Sequence, residues 1–237
     1  MKPMIAVLAA ALAASALPAF AQAADPLSFN LSVTSDYRYR GISQSRLKPA
    51  LQGGVDYAHS SGFYIGAWAS TIKWISDAGG DADVEIDTYL GYKTALGGGF
   101  TGDIGFLRYN YPGNDLNPSA NTNEIYGALS YGPATLKYSH STTNLFGFAD
   151  SKQSGYLDLS ATFDVGNGFT LTPHVGHQKV KNVGSASYTD YSLTVNKDWY
   201  GLTWGAAFVA TNTDAYIGGK GKDLGKNGVV VSVKKVF

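Results

Sequence analysis

From Leu27 to Phe237 the chain alternates apolar and polar residues with period 2, segment after segment, and no stretch sustains a helical period. Successive side chains of a strand point to opposite faces, so each segment reads as a strand with one apolar and one polar face. Twelve candidates lie near 27–40, 49–58, 62–74, 83–94, 99–110, 123–131, 134–142, 154–165, 168–178, 188–199, 201–211 and 227–237. Their lengths match or slightly exceed the ~9–11 residues of a tilted strand that crosses a bilayer.

The connections alternate as well. Short, glycine-containing turns fall at 59–62, 95–99, 131–133, 165–168 and 200–201, and longer polar stretches such as ISDAGGDAD, PGNDLNPSAN and NTDAYIGGKGKDLGKN lie between them. Short turns at one end and long loops at the other describe an up-and-down transmembrane barrel. An even strand number brings both termini to the short-turn, periplasmic side. The expected fold is therefore all-β, a single closed antiparallel barrel of about twelve strands over residues 24–237.

The faces agree with that reading. In the first segment Leu27, Phe29, Leu31, Val33, Tyr37 and Tyr39 oppose Ser28, Asn30, Ser32, Thr34, Asp36, Arg38 and Arg40. In the fourth, Val84, Ile86, Leu90 and Tyr92 oppose Glu85, Asp87, Tyr89 and Lys93. The tenth sets Tyr191, Leu193, Val195 and Trp199 against Asp190, Ser192, Thr194, Asn196 and Asp198. A lipid-facing apolar band over a polar interior is the barrel pattern. A soluble all-β chain of this length would carry Leu/Ile/Val-rich core strands, which are scarce here. Inward Tyr64, Trp68, Tyr89 and Tyr156 are large enough to close the lumen.

Before Ala24, Lys2, a long apolar run and the Ala21-Gln22-Ala23 cleavage pattern mark residues 1–23 as a secretory signal peptide. Eighteen basic residues balance eighteen acidic ones, so no nucleic-acid-binding surface is expected. The absence of cysteine excludes thiol catalysis and zinc–thiolate sites. The stretch YRYRGISQS at 37–45 reads as the top of the first strand. Tyr37 and Tyr39 are expected in the outer aromatic belt, facing lipid with wet hydroxyls. Arg38 and Arg40 are expected to face the lumen as a positive patch at the outer mouth, with Gly41 releasing the chain from the strand.

The run SDYRYRGISQS…KPALQGGVDYAHSSGFYIGAWAS, followed by EIDTYLGYK, GFLRYNYPGN, NEIYGALSYG and YLDLSATFDVGNGFTLTPHVGHQ, resembles the TorF-type porin family, also called Gcw_chp. The resemblance covers nearly the whole mature chain. It implies a barrel of proteobacterial (Gram-negative) outer membranes and supplies no substrate and no catalytic set. Phe237, a terminal aromatic on an alternating strand, resembles the assembly signal of such barrels. The expected partners are outer-membrane lipids and lipopolysaccharide, the barrel-assembly machinery and small solutes.

The candidate pore lining is Asp36, Arg38, Arg40, Asp56, Glu85, Asp87, Lys93, Asp103, Lys137, Asp158 and Asp190. Rings of charge select solutes in a narrow channel, and a mixed-sign lining selects weakly. The same charges also suit cross-strand pairing that fills the interior. DAGGDADVE at 77–85 lacks full calcium-loop spacing and reads as a solvated loop. Lys220, Lys222 and Lys226 flank glycine turns and are read as solvated, with lipopolysaccharide phosphates as the alternative. His140 is placed to face lipid near the outer leaflet, but Thr142, not serine, stands two residues on, so it reads as an interfacial histidine. His174 and His177 lie on opposite faces, a poor metal pair, and no cofactor or metal is expected. Three functions remain, in order of preference: a passive channel for small hydrophilic solutes or ions, a closed structural or adhesive barrel, and a lipid-active enzyme.

Overall fold

The computed structural model describes residues 26–237, so the signal-peptide reading of 1–23 lies outside the described residues. The alternating segments pair as β1 (Leu27–Thr34), β2 (Ala50–Ala58), β3 (Phe63–Thr71), β4 (Val84–Gly97), β5 (Phe100–Asn110) and β6 (Thr122–Tyr131). They continue as β7 (Ala134–Ser141), β8 (Gly155–Ala161, resumed at Phe163–Gly166), β9 (Phe169–Lys179), β10 (Tyr188–Trp199), β11 (Leu202–Thr211) and β12 (Gly228–Val236). Each strand is antiparallel to its neighbours in the chain, and β12 returns to β1 in the register Val33↔Val233. Twelve strands thus close into one barrel with no free edge.

The two faces part as period 2 requires. Outward residues such as Phe29, Leu90, Leu159, Leu193 and Trp204 are exposed around the whole wall. An apolar surface this continuous is stable where lipid covers it. Among the described residues no helix is long and apolar enough to cross a membrane. Inside, tyrosines lie across glycines of the adjacent strand: Tyr64 over Gly91, Tyr89 over Gly66 and Tyr126 over Gly105. A Cβ on any of these glycines would stand within 2.6 Å of the ring it faces. The glycine leaves room for the ring, and the ring covers the glycine's open backbone.

Two strands stop three or more residues short of expectation, for one reason. β1 stops at Thr34, not at residue 40, and β3 stops at Thr71. Beyond them the chain leaves the wall to meet itself: the N–H groups of Lys73 and Trp74 both donate to the Gln44 carbonyl, at 2.8 and 3.1 Å. A single helical turn, α1 (Trp74–Asp77), follows.

The barrel ends can be distinguished chemically, because the chain has no cysteine of its own. With the long loops outside, Ser119→Cys and Asp214→Cys react with an impermeant maleimide added to intact cells. Ala95→Cys, at the short-turn end of β4, and Asn167→Cys, in a short turn, stay unlabelled. The opposite pattern means that the barrel is inserted the other way up.

Candidate functional site: a hairpin folded into the lumen

After Thr34 the chain turns inward. The Ser35 N–H still donates to the Val231 carbonyl at 2.8 Å, and the wall then loses the segment. Asp36 gathers it. One carboxylate oxygen accepts from the Ser43 and Ser45 hydroxyls at 2.5 and 3.2 Å, and the other from Arg38 Nε at 2.5 Å. Arg38–Tyr39 pairs with Ile42–Ser43 as a miniature hairpin. Its two turn residues, Arg40 and Gly41, have φ of 47° and 81°. Positive φ at both positions is what a two-residue I′ turn needs, because its twist matches the ribbon.

The hairpin crosses the lumen. A Cβ on Gly41 would lie 2.6 Å from Thr211 Cγ2 and 2.8 Å from Asp190 Cβ, so the tip touches the wall built by β10 and β11. Glycine is required there both for its backbone angle and for space. Arg40 reaches the wall at β6 and β9. Its guanidinium donates to both Glu124 oxygens at 3.0 and 2.8 Å and to Gln178 Oε1 at 2.7 Å. It also stacks over the Tyr156 ring at 4.2 Å. This fork–fork geometry is the strong form of an ion pair. Arg38 Nη1 donates to the carbonyls of Gly41, Leu224 and Lys226 at 2.9–3.0 Å, which ties the hairpin to the last long loop.

These contacts correct the expectation for YRYRG. Tyr37 and Tyr39 do not face lipid; they are 3% and 7% exposed, inside the barrel. The Tyr37 hydroxyl donates to Glu85 at 3.3 Å, and the Tyr39 and Tyr109 hydroxyls share a bond of 2.7 Å. Arg38 and Arg40 are buried anchors of a hairpin, not residues of β1 open to the outer mouth. Alternation cannot separate the two cases, because a hairpin with both faces buried alternates just as a wall strand does.

The other charges named from the sequence stand on inward faces. Asp56 accepts from the Tyr89 hydroxyl, Asp103 from Tyr64 at 2.6 Å, and Asp190 from Tyr156 at 3.0 Å. Asp158 accepts from His174 Nε2 at 2.7 Å, and the Lys137 ammonium sits 4.1 Å over the Tyr126 ring. Lys93 lies opposite Asp103 in register. Glu85 and Asp87 are buried beside the hairpin, each with one oxygen that has no hydrogen-bond partner among the described residues. Glu124, Tyr109 and Gln178 were missed, although Glu124 shares the inward parity of Tyr126. Their importance comes from Arg40, whose path the sequence does not reveal.

The remaining candidates keep modest surroundings. His140 Nδ1 lies 3.4 Å from the Tyr138 hydroxyl, while Ser139 and Ser141 are buried on the inner side. His177 meets Thr189 on the outer face, opposite to His174. Two acids of the 77–85 stretch are held by bases: Arg46 forks onto Asp77, and Lys73 pairs with Asp83 at 2.7 Å. Burial works against the ionised Asp77, but Arg46 and the Gly219 N–H hold its pKa below the usual carboxylate range. Among the described residues no group of acids and histidines is arranged to hold a metal ion.

Solved structures share this architecture. The KdgM porin aligns with a TM-score of 0.56 at 8% identity, over 89% of this chain and 96% of that chain. The NanC porin aligns with a TM-score of 0.57 at 12% identity, over 89% and 98%. The KdgM porin in complex with disordered oligogalacturonate gives 0.56 at 9% identity, over 89% and 98%. At these identities the likeness is one of fold. No curated protein matches the sequence. The family model Gcw_chp, described as a bacterial protein of unknown function, matches residues 19–237, and the chain belongs to that family.

Proposed function

We propose that the chain is a porin-like outer-membrane channel, through which small hydrophilic solutes or ions diffuse passively, with the 35–49 hairpin as its constriction. The observation that carries this reading is the lumen between the hairpin and the short turns. It is lined by Lys93, Asp103, Lys137, Asp158, His174 and Lys234, none of them fully buried, so ionisable groups of both signs stand where a hydrophilic solute would pass. The lining carries both signs, which favours weak ion selectivity. The 12-stranded porin fold of the KdgM and NanC proteins supports an outer-membrane location. Lipopolysaccharide and outer-membrane lipids then cover the outer wall, and assembly machinery inserts it. No residue is assigned a catalytic role.

Purified protein in a planar bilayer is expected to give small ohmic steps with only weak discrimination between K⁺ and Cl⁻. A folded, heat-modifiable protein that gives no steps at any voltage would overturn the channel. It would favour the second reading, a closed structural barrel, which rests on Tyr37, Tyr39, Tyr109 and Tyr111 being buried at the level of the hairpin.

Phe237 bears on assembly. Its N–H donates to the Phe29 carbonyl at 2.9 Å and its carbonyl accepts from Phe29 at 3.3 Å, so the last residue joins the seam between β12 and β1. Deleting Phe237 is expected to lower the folded, heat-modifiable fraction in outer membranes severalfold. An unchanged fraction on unheated gels counts against the assembly role.

A further inference from the structure

One sector of the outer wall carries a single sign of charge. Residues 138–155 and 175–189, at the long-loop end of β7, β8 and β9, hold His140, Lys152, His177, Lys179 and Lys181 against one acid, Asp150. The three lysines are exposed, and none forms an ion pair among the described residues. Arg38, Arg40, Arg46 and Lys73, by contrast, are each held by an acid. Arg108, outward on β5 and bonded to Asn123 at 3.1 Å, continues the basic side. On β1 to β4 and β12 the outward residues at that end are Val33, Leu51, Thr71, Val84 and Val229, none of them charged.

Strand register makes a patch of the basic residues. Gly155 is paired with His140 on one side and with Lys179 on the other. Neighbouring strands lie ~4.8 Å apart, so these two backbones stand roughly 10 Å from each other, a span that two side chains can close around one small anion. Both positions share the outward parity of Tyr138 and His177. Gly155 has no side chain to fill the interval. The Tyr138 hydroxyl lies over it, 2.5 Å from where a Cβ would stand, and 3.4 Å from His140 Nδ1. Ammonium, imidazole and phenol donors thus border one interval of the wall.

Height on the wall selects the occupant. Tyr138 and Tyr191 face outward and are about half exposed, as rings at a bilayer interface are. His140 and Lys179 stand two residues, roughly 7 Å, beyond the Tyr138 level towards the long loops, among lipid headgroups. Unpaired bases at that depth attract anionic headgroups, each by about a fivefold change in binding.

We propose that His140, Lys179 and the Tyr138 hydroxyl, backed by Lys152, His177 and Lys181, form a binding site for a phosphate of an outer-leaflet glycolipid, the lipid anchor of lipopolysaccharide. The site rests on the outer-membrane reading but not on flux: it lies on the lipid side of the wall, and a closed barrel would carry it equally.

The test places the full mature chain in phosphatidylcholine nanodiscs doped with diphosphoryl lipid A, and native mass spectrometry of the released barrel counts the lipid A retained. Retention at least tenfold above that of the same lipid stripped of its phosphates is expected. Lys179→Gln, an exposed change that leaves the ladder intact, should weaken retention about fivefold, and adding Lys152→Gln and Lys181→Gln should weaken it further. Lys220→Gln with Lys222→Gln, in the last loop, should leave it unchanged. Equal retention of the stripped lipid overturns the proposal, as does retention that the three substitutions at 152, 179 and 181 do not alter. Displacement by millimolar inorganic phosphate would assign the site to a free anion and overturn the lipid source. A barrel that retains lipid A yet gives no conductance steps keeps the site and loses the channel.

Discussion

Excising residues 36–48 and joining Ser35 to Pro49 through a short Gly-Ser link is expected to raise single-channel conductance severalfold with the barrel intact. Thr34 and Ala50 are paired neighbours in the β1–β2 ladder, so a tight turn spans the gap. The removed hairpin bonds with itself, with side chains and with loops, and contributes nothing to the closed twelve-strand ladder. Heat-modifiability on gels should therefore persist. Glu85, Asp87 and Glu124 lose their cover and become solvated acids around a wider lumen. Cation preference should rise, and more at low salt, where the Debye length is ~30 Å at 0.01 M against ~10 Å at 0.1 M. Conductance equal to that of the intact protein would show that the constriction lies elsewhere.

Arg40→Met should loosen the hairpin without removing it. The Arg40–Glu124 pair is nearly sealed from solvent, with side-chain exposures of 4% and 2%. Removing one partner of a buried pair costs about 3–5 kcal/mol, because the other charge is left uncompensated. If that cost falls on hairpin docking, the undocked population grows roughly a hundredfold or more. A single cysteine at Gln44, on the floor of the cavity under the long loops, reports it: maleimide labelling should accelerate by a comparable factor in Arg40→Met. Adding Glu124→Gln should return part of the protection, since the stranded carboxylate is gone. Unchanged labelling would mean that Asp36 and Arg38 hold the hairpin without Arg40. The same geometry revises what Arg40→Gln does to ion preference: the change acts through a displaced hairpin and an exposed Glu124, not through loss of free positive charge at the mouth.

The barrel was legible in the chain because a strand that faces lipid on one side and water or protein on the other has no alternative to period 2. Leu27 to Thr34, Val84 to Tyr92 and Tyr191 to Trp199 carry that pattern without reference to anything distant. The alternation of short and long connections then sets strand number parity and places both termini at one end. Inward placement of Asp56, Glu85, Asp87, Lys93, Asp103, Lys137, Asp158 and Asp190 follows from the same parity.

What the sequence by itself determined is therefore the wall: strand direction, face and closure, each a local consequence of the pleat. The fate of YRYRG was decided only in three dimensions. Arg-Gly is a weak turn signal beside Asn-Gly, so the hairpin is not announced locally. It forms because Asp36 can collect Ser43, Ser45 and Arg38, and because a guanidinium six residues past the end of β1 meets Glu124 and Gln178 across the lumen. A bidentate ion pair between residues 84 positions apart depends on the curvature of the closed barrel, which brings β6 and β9 to face the hairpin tip. Period 2 records which side of the wall a residue takes. It carries no record of which opposite wall lies within reach.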